Sequence, residues 1–420
     1  MFKYLKIFYF LTISFFIFFL LFIFINEAFK PFSDEILSDQ RERNLRGIKL
    51  SKSGYFKEKL DLNPYDKFSI RFAHPYYMFL TPWKEEIIEL VNNEYVNLDQ
   101  NGFRVNPYIK KNKTNYNIVL LGGSSAFGMF SSSDKYTLAS TITNISNKKK
   151  INILNKNYDQ ISVVNRNSPA WNSYQELLGL IQYQDNYEAS ISFSLINDIH
   201  LPCLDPTARL TGKQMLDTPQ HFMKYYYILE NSKTTNVIDH KSLKSLISNL
   251  LPETRKLFKH IRYKLFESNK EYFNEPKEKH EKCFSLAPKI AKNFIKNQIL
   301  MKSISNSRNA KHLTVLQPNY AFHPKYNLEY TSFKNRNLYN FTGKVYDLVM
   351  LSDYCKSNCV DLRNIFNDIN QNGEAIHIDE LGTQEITNKN LSKLIFYDDV
   401  HLLDYGYNLI ANNLIKKITR

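Results

Sequence analysis

Asn117-Ile-Val-Leu-Leu-Gly-Gly-Ser-Ser-Ala-Phe-Gly128 is the stretch that decides the fold of this 420-residue chain. Ile118 to Leu121 run without polar alternation, which is typical of a parallel strand covered by helices on both faces. Gly122 and Gly123 let the backbone turn sharply because they lack a Cβ. Ser124 then begins a helix at the carboxyl end of a central strand, where open α/β sheets bind their ligands. Amide N–H groups at that helix start point at any anion that forms there.

The far end of the chain supplies the groups that a serine nucleophile needs. Asp398 and His401 are three residues apart, so one turn of backbone can hold the carboxylate against the imidazole. Such a contact fixes the tautomer of the histidine and stabilises its charged form. The adjacent Asp399 has a less suitable spacing. A capping role for His401 is the weaker alternative, because a strongly amphipathic helix follows and holds this loop against the core.

These two blocks resemble those of the SGNH (GDSL-like) hydrolases, especially membrane-anchored bacterial members. In that family a Gly-Asp-Ser block follows the first strand, and an Asp-x-x-His block precedes the last helix. Gly122 to Ser124 match the first block with Gly123 replacing the aspartate, and Asp398 to His401 match the second in full. The resemblance, in scattered blocks over roughly residues 95–420, implies a three-layer α/β/α fold with a five-stranded, flavodoxin-like parallel sheet. It also implies a catalytic triad of Ser124, Asp398 and His401.

The resemblance further implies an oxyanion hole made of two backbone N–H groups and an asparagine side chain. Asn197 follows the apolar strand Ile191 to Ile196 and matches the asparagine, although the glycine expected two residues earlier is Leu195. In the turn after the second strand, Ala170 stands where the family has glycine. A backbone N–H does not require glycine, so the expected donors are the Ser124 amide, the Ala170 amide and the Asn197 side chain.

The N-terminal segment has the pattern of a membrane anchor. Ile7 to Ile25 carry no charge, which is close to the roughly 20 residues that cross a bilayer. Lys3 and Lys6 precede this run and predict a cytoplasmic N-terminus. We interpret residues 1–26 as an uncleaved, single-pass signal anchor in the inner (cytoplasmic) membrane, with the remainder periplasmic or otherwise extracytoplasmic. A cleaved signal peptide is the alternative, disfavoured by the long run and the lack of an Ala-x-Ala-like site.

The rest of the chain is predicted to form a stalk and lead-in over residues 27–110 and an SGNH hydrolase-like domain over 111–420. Strands and helices alternate in this domain, which favours right-handed crossovers and a parallel sheet. Insertions are predicted at about 201–287 and 363–394. Insertions at the carboxyl ends of strands cover the active site, so both are candidates for lids or acceptor-binding surfaces.

Three polar residues outside the motif blocks have a structural or a functional interpretation. His74 and Arg104 lie in the lead-in and are interpreted as packing residues. His200 lies just beyond Asn197 and would either line the pocket or, as is more common where a chain leaves a strand, be solvated.

Composition limits the partners and cofactors. The chain is 43% hydrophobic and 23% charged, as expected of a globular protein. Its net charge of +14 is interpreted as a solvated basic surface, with anionic lipid or acidic polysaccharide as alternative partners. No basic block alternates with aromatic residues, so nucleic acid is not expected as a partner. The predicted chemistry requires no metal and no organic cofactor.

The four cysteines are an even number, which fits an oxidising compartment. Our hypothesis is that Cys203 and Cys283 form a bridge that closes the first insertion. Cys355 and Cys359 are equally compatible with a bridge and with free thiols. A zinc site is disfavoured because their Cys-x3-Cys spacing has no second pair.

The predicted reaction follows from these roles. His401 would accept the Ser124 proton as the serine attacks an ester carbonyl, and Asp398 would stabilise the imidazolium. With water as acceptor the protein would be an esterase acting on ester, chiefly O-acetyl, groups of a glycan or lipid. With a sugar hydroxyl it would be an O-acyltransferase that modifies an extracellular polysaccharide. The third hypothesis is a catalytically inactive glycan-binding or assembly protein, favoured by the missing block residues and opposed by the intact triad.

Overall fold

The computed structural model describes residues 55, 72–74, 78–80, 92, 95–148, 150–169, 171–204, 285–324, 333–369, 375–381 and 392–419. All of these belong to one compact unit, which spans Arg46–Ile228 and Glu275–Arg420. The predicted anchor, most of the stalk and nearly all of the first insertion, with Cys283, lie outside the described residues. Among the residues within those ranges, no helix is long and apolar enough to cross a membrane.

The secondary structure alternates between strands and helices along the chain. The elements in order are β1 (Phe72–His74), β2 (Met78–Leu80), β3 (Asn115–Gly122), α1 (Ser124–Phe127), α2 (Leu138–Ser146), β4 (Ile151–Ile153), β5 (Lys156–Tyr158), β6 (Gln160–Asn167), α3 (Ser173–Gln182), β7 (Ala189–Ser194), α4 (Ile196–Leu204), α5 (Ala287–Ser307), β8 (Lys311–Leu316), α6 (Phe333–Met350), α7 (Asp353–Asn358), β9 (Cys359–Asp361) and α8 (Asp404–Ile418).

A parallel sheet with the strand order β6-β3-β7-β8-β9 forms the centre of the fold. The chain moves outward from β3 to β6, then returns past β3 to β7 and continues to β9. Strands β3 and β7 are therefore the neighbours at which the winding reverses, and open α/β sheets bind ligands outside the carboxyl ends of such strands. The structure confirms the predicted α/β class with five parallel strands.

Helices cover both faces of this sheet. On one face, α2 and α8 pack against Ile118 and Leu120 of β3; on the other, α3 and α5 pack against Val119 and Leu121. All four of these β3 side chains are fully buried. Double-sided burial explains why this strand shows no polar alternation, and it produces the predicted three layers.

Several details differ from the sequence-based expectations. Strand β7 ends at Ser194, two residues before the end of the predicted strand Ile191 to Ile196, because Ile196 already begins α4. Helices α6 and α7 and the hairpin of β4 and β5 were not predicted. Cys355 and Cys359 form a disulfide across the junction of α7 and β9, with their Cα atoms 4.6 Å apart. The sequence left a disulfide bridge and free thiols equally open for this pair, and the structure has the bridge.

Arg104 has a structural role, as interpreted from the sequence. Its side chain is buried, and its Nε lies 2.7 Å from a carboxylate oxygen of Asp134. The Nη1 atom donates to the carbonyls of Phe127 and Gly128 at the end of α1, and Nη2 donates to the Tyr95 carbonyl. Arg104 thus satisfies carbonyl groups that the short helix after Ser124 leaves without helical partners.

Replacing Arg104 by methionine is expected to lower the free energy of unfolding by about 3–5 kcal/mol, because the Asp134 carboxylate would stay buried without its cation. Denaturant unfolding of the two proteins measures the difference. Lys356→Met is the matched control, since Lys356 and Asp353 form an ion pair at the surface that water and salt screen. A loss no larger than that of the control would contradict the role assigned to Arg104.

Candidate active site

The turn that presents Ser124 has glycine at two positions where a side chain would meet a close neighbour. Gly122 has a φ of +151°, and a Cβ there would lie 2.5 Å from the Phe193 carbonyl oxygen. A Cβ on Gly123 would lie 2.2 Å from Nδ2 of Asn197. A side chain at position 123, such as the aspartate of the Gly-Asp-Ser pattern, would therefore displace the Asn197 amide from its position in this structure.

The structure brings the three predicted triad residues together. The Ser124 Oγ lies 2.7 Å from Nε2 of His401, although the two residues are 277 positions apart in the chain. Nδ1 of the same imidazole lies 2.7 Å and 2.9 Å from the two carboxylate oxygens of Asp398. Serine, histidine and aspartate thus form one continuous row of hydrogen bonds.

Asp398 is held in its ionised form. Burial alone would raise the pKa of this carboxyl, but the neighbouring His401 and hydrogen bonds to the carboxylate outweigh it and hold the pKa well below its usual value. Two of these bonds come from the backbone N–H groups of Val400, at 3.0 Å, and His401, at 2.7 Å. A carboxylate fixed in this way can orient the imidazole and stabilise its charged form.

Side chains that sequence reasoning did not identify connect the serine turn to the Asp-His loop. The Ser125 hydroxyl donates to the Val400 carbonyl at 3.0 Å, and the Tyr407 hydroxyl donates to the Ser125 carbonyl at 3.0 Å. The Phe130 ring meets the His401 ring edge-on, with centroids 5.2 Å apart, and stacks on Tyr397. None of these residues belongs to a recognisable sequence pattern. Only Ser125, which directly follows the predicted nucleophile, could have been suspected from the sequence to lie at the site.

Two of the three predicted oxyanion donors lie at the serine turn. The Ser124 amide is the first N–H of α1, so it has no partner within the helix. Asn197, in the first turn of α4, lies against Gly123 and donates from Nδ2 to the Trp171 carbonyl at 2.7 Å. Among the described residues the second hydrogen on this Nδ2 has no partner, which is what an oxyanion donor requires. Ala170 lies outside the described residues, so its amide remains a prediction.

The missing glycine before Asn197 leaves a strained backbone. Leu195 has a φ of +103°, a conformation that side chains rarely adopt and glycine adopts readily. Its side chain is fully buried and packs with Ile196, Ile199 and Phe294. Strain of this kind typically costs ~1–3 kcal/mol and persists where the surrounding packing enforces it.

His200 lies one turn after Asn197 and is less exposed than the solvated interpretation predicted. Its Nε2 atom is buried and has no hydrogen-bond partner in the part of the chain that the structure describes. Burial lowers the pKa of His200 to about 4, although the charge of Asp398 opposes this shift. The ring is therefore neutral at neutral pH, and it takes no part in the hydrogen-bonded row of the triad.

Fold and site together define an α/β protein with a Ser-His-Asp arrangement at the point where its sheet reverses winding. No family model and no curated protein matches the chain. Among solved structures, the chain is similar to an acetyl xylan esterase, with 12% identity, a TM-score of 0.34, and coverage of 72% of this chain and 98% of that one.

Two lipases show a similar degree of likeness. A GDSL-like lipase from Bacteroides thetaiotaomicron has 12% identity, a TM-score of 0.31, and coverage of 72% of this chain and 87% of that one. An extracellular lipase from Streptomyces rimosus has 8% identity, a TM-score of 0.33, and coverage of 71% of this chain and 99% of that one. Likenesses this weak support no conclusion about activity, so the functional argument depends on the geometry of the site.

Replacing Asn197 by alanine is expected to lower kcat for ester turnover by about 10²–10³, because one donor to the developing oxyanion is lost. Steady-state kinetics with a chromogenic acetyl ester measures the change, and thermal unfolding checks that the fold persists. Asn412→Ala is the control, since Asn412 is an exposed asparagine on α8 and should leave kcat unchanged. Full activity of the Asn197 variant would refute its assignment.

Proposed function

We propose that this protein is a membrane-anchored serine esterase of the SGNH type that hydrolyses ester groups, chiefly O-acetyl groups, of a cell-surface glycan. The observation that carries the proposal is the continuous row from Ser124 Oγ through His401 to Asp398, at distances of 2.7 Å on both sides of the imidazole. A row of this geometry can activate the serine as a nucleophile and needs no further group to do so.

The reaction proceeds in two halves. Nε2 of His401 accepts the hydroxyl proton while Ser124 Oγ bonds to the ester carbonyl carbon, and the oxyanion is stabilised by the Ser124 amide and the Asn197 side chain. The C–O bond to the alcohol then breaks, and His401 returns the proton to the leaving oxygen. Water attacks the acyl-serine with His401 again as base, which releases the carboxylic acid and restores Ser124.

An extracytoplasmic location is part of the proposal. The uncharged run from Ile7 to Ile25 is long enough to anchor the chain. The disulfide between Cys355 and Cys359 favours the same location, because such bonds persist mainly in oxidising compartments. Ester-bearing glycans of the cell surface are substrates that an anchored enzyme on that side of the membrane would meet.

Hydrolysis of a chromogenic acetyl ester by the full-length chain in detergent tests the proposal. We expect release of the chromophore with water as the only acceptor. Release that depends on added saccharide, with acetylated saccharide as product, would instead identify an O-acyltransferase. A folded protein with no turnover under either condition would contradict both and favour the non-catalytic hypothesis.

A further inference from the structure

A tyrosine from the predicted stalk and lead-in reaches the candidate active site. Tyr55 is partly buried, and its ring packs against the apolar cluster that contains Phe130 and Tyr397. Its hydroxyl lies 2.7 Å from Oδ1 of Asp404 and 3.0 Å from the Phe130 carbonyl oxygen. These two partners are 349 and 75 positions away along the chain, so only the tertiary fold brings them to Tyr55. The triad mechanism assigns no role to this contact.

The Tyr55 hydroxyl supplies a cap that the sequence at the start of α8 lacks. Leu403 occupies the N-cap position, and a leucine side chain cannot accept a hydrogen bond. The first N–H of the helix, that of Asp404, has no helical partner, and it donates to the Tyr55 hydroxyl at 3.1 Å. Tyr55 therefore fixes the point at which the chain enters α8, three residues after His401.

The Asp404 carboxylate connects this helix start to the loop of residues 128–133, which follows α1 and is called the Phe130 loop below. Its Oδ1 accepts from the Ser132 N–H at 2.8 Å, and its Oδ2 accepts from the Ser132 hydroxyl at 2.5 Å. Burial raises the pKa of Asp404 to about 6, so the carboxyl is mainly ionised at neutral pH and accepts these hydrogens. Tyr55 donates to the same carboxylate, so one set of hydrogen bonds joins the lead-in, the Phe130 loop and α8.

Phe130 lies between this set of hydrogen bonds and the catalytic histidine. Its φ of +67° is a left-handed conformation that residues other than glycine seldom adopt, so its position depends on the contacts around it. The carbonyl faces the Tyr55 hydroxyl, and the ring stacks on Tyr397 with centroids 3.7 Å apart. The same ring meets the His401 imidazole edge-on, with centroids 5.2 Å apart. A shift of Phe130 would therefore remove a packing contact of the imidazole.

We propose that Tyr55 is a positioning residue for His401, acting through the Phe130 loop. Its hydroxyl fastens this loop to the first turn of α8, and His401 precedes that helix with its ring against Phe130. An imidazole held in this way keeps Nε2 at 2.7 Å from Ser124 Oγ, as proton transfer requires. The lead-in is then part of the catalytic unit. The kinetic part of this inference rests on the proposed esterase function.

Tyr55→Phe in the full-length chain tests the inference, because it removes the hydroxyl and keeps the ring in the apolar cluster. We expect kcat for a chromogenic acetyl ester to fall by about 10–10²-fold with KM unchanged, since a small displacement of a catalytic group slows the chemical step. Tyr136→Phe is the matched control, because Tyr136 is 49% exposed and loss of its hydroxyl should leave kcat unchanged. A kcat of the Tyr55 variant equal to that of the control would overturn the inference.

A double-mutant cycle tests the route through Phe130. Phe130→Leu should itself lower kcat, because it removes the edge contact with His401. In the Phe130→Leu background, Tyr55→Phe should then cost only about twofold or less, since the two changes disrupt the same contact. Thermal unfolding checks that each protein is folded. The full loss of the single Tyr55 variant in that background, or full activity of Phe130→Leu, would overturn the inference.

A further measurement does not depend on turnover. The imidazole proton resonances of His401, in a chain with isotope-labelled histidine, are identified by their absence from the His401→Ala variant. They lie in the ring current of Phe130, so Tyr55→Phe should shift them and Tyr136→Phe should not. This shift without ester turnover by the wild type would refute the proposed function and leave the positioning role of Tyr55 intact. Turnover by the wild type without the shift would overturn the inference alone.

Discussion

Replacing Ser124 by alanine is expected to lower kcat for ester hydrolysis by about 10⁶-fold, because the acyl-serine route is lost entirely and His401 has no hydroxyl to activate. The rate should fall to the residual level that binding and the oxyanion donors supply without a nucleophile. Chromophore release from an acetyl ester by the two full-length proteins measures the difference.

Ser125→Ala is the matched control for this prediction. Ser125 is the next residue in α1, and its hydroxyl bonds the Val400 carbonyl rather than His401. Loss of one such hydrogen bond costs about 0.5–1.5 kcal/mol, so we expect a change of about tenfold or less in kcat. If the two variants were impaired to the same degree, Ser124 would not be the nucleophile.

Replacing Asp398 by asparagine should lower kcat by about 10⁴-fold with the fold retained. An amide NH₂ facing Nδ1 of His401 would make that nitrogen an acceptor and place the ring hydrogen on Nε2. Nε2 then could not accept the Ser124 proton. The same ester assay measures the loss. A kcat close to that of the wild type in the variant would exclude Asp398 as the orienting residue.

Asp399→Asn separates Asp398 from its neighbour. Asp399 Oδ1 lies 4.0 Å from Nε2 of His377, whereas both oxygens of Asp398 lie within hydrogen-bond distance of His401. We therefore expect a much smaller loss than for Asp398→Asn. An equal or larger loss would reverse the assignment that the sequence spacing suggested.

The strand, the serine turn and the Asp-His loop could be predicted from the sequence because each depends on local chemistry. The apolar run of β3 indicates burial on both faces, two glycines indicate a sharp turn, and a three-residue spacing brings Asp398 to His401. The resemblance to a known family then related these separate segments to one site. Ser124 and His401 are 277 residues apart, and no periodicity alone would have paired them.

Contacts made by packing between distant segments could not be predicted in this way. Nothing in the sequence shows that the Asn197 amide lies against Gly123, where the family has an aspartate. The serines of β7 likewise gave no indication that two of them donate to the buried carboxyl of Glu176, because the identity of the residues across an interface depends on the tertiary fold.

The most direct test of the central claim is covalent labelling of the full-length chain with a fluorophosphonate, followed by peptide mass spectrometry. Such a reagent reacts with a serine that an adjacent base activates, and the adduct mimics the tetrahedral intermediate. The geometry predicts one adduct, on Ser124, that is absent from the His401→Ala variant. An unlabelled protein, or an adduct on another residue, would contradict the assignment of Ser124 and His401 as nucleophile and base.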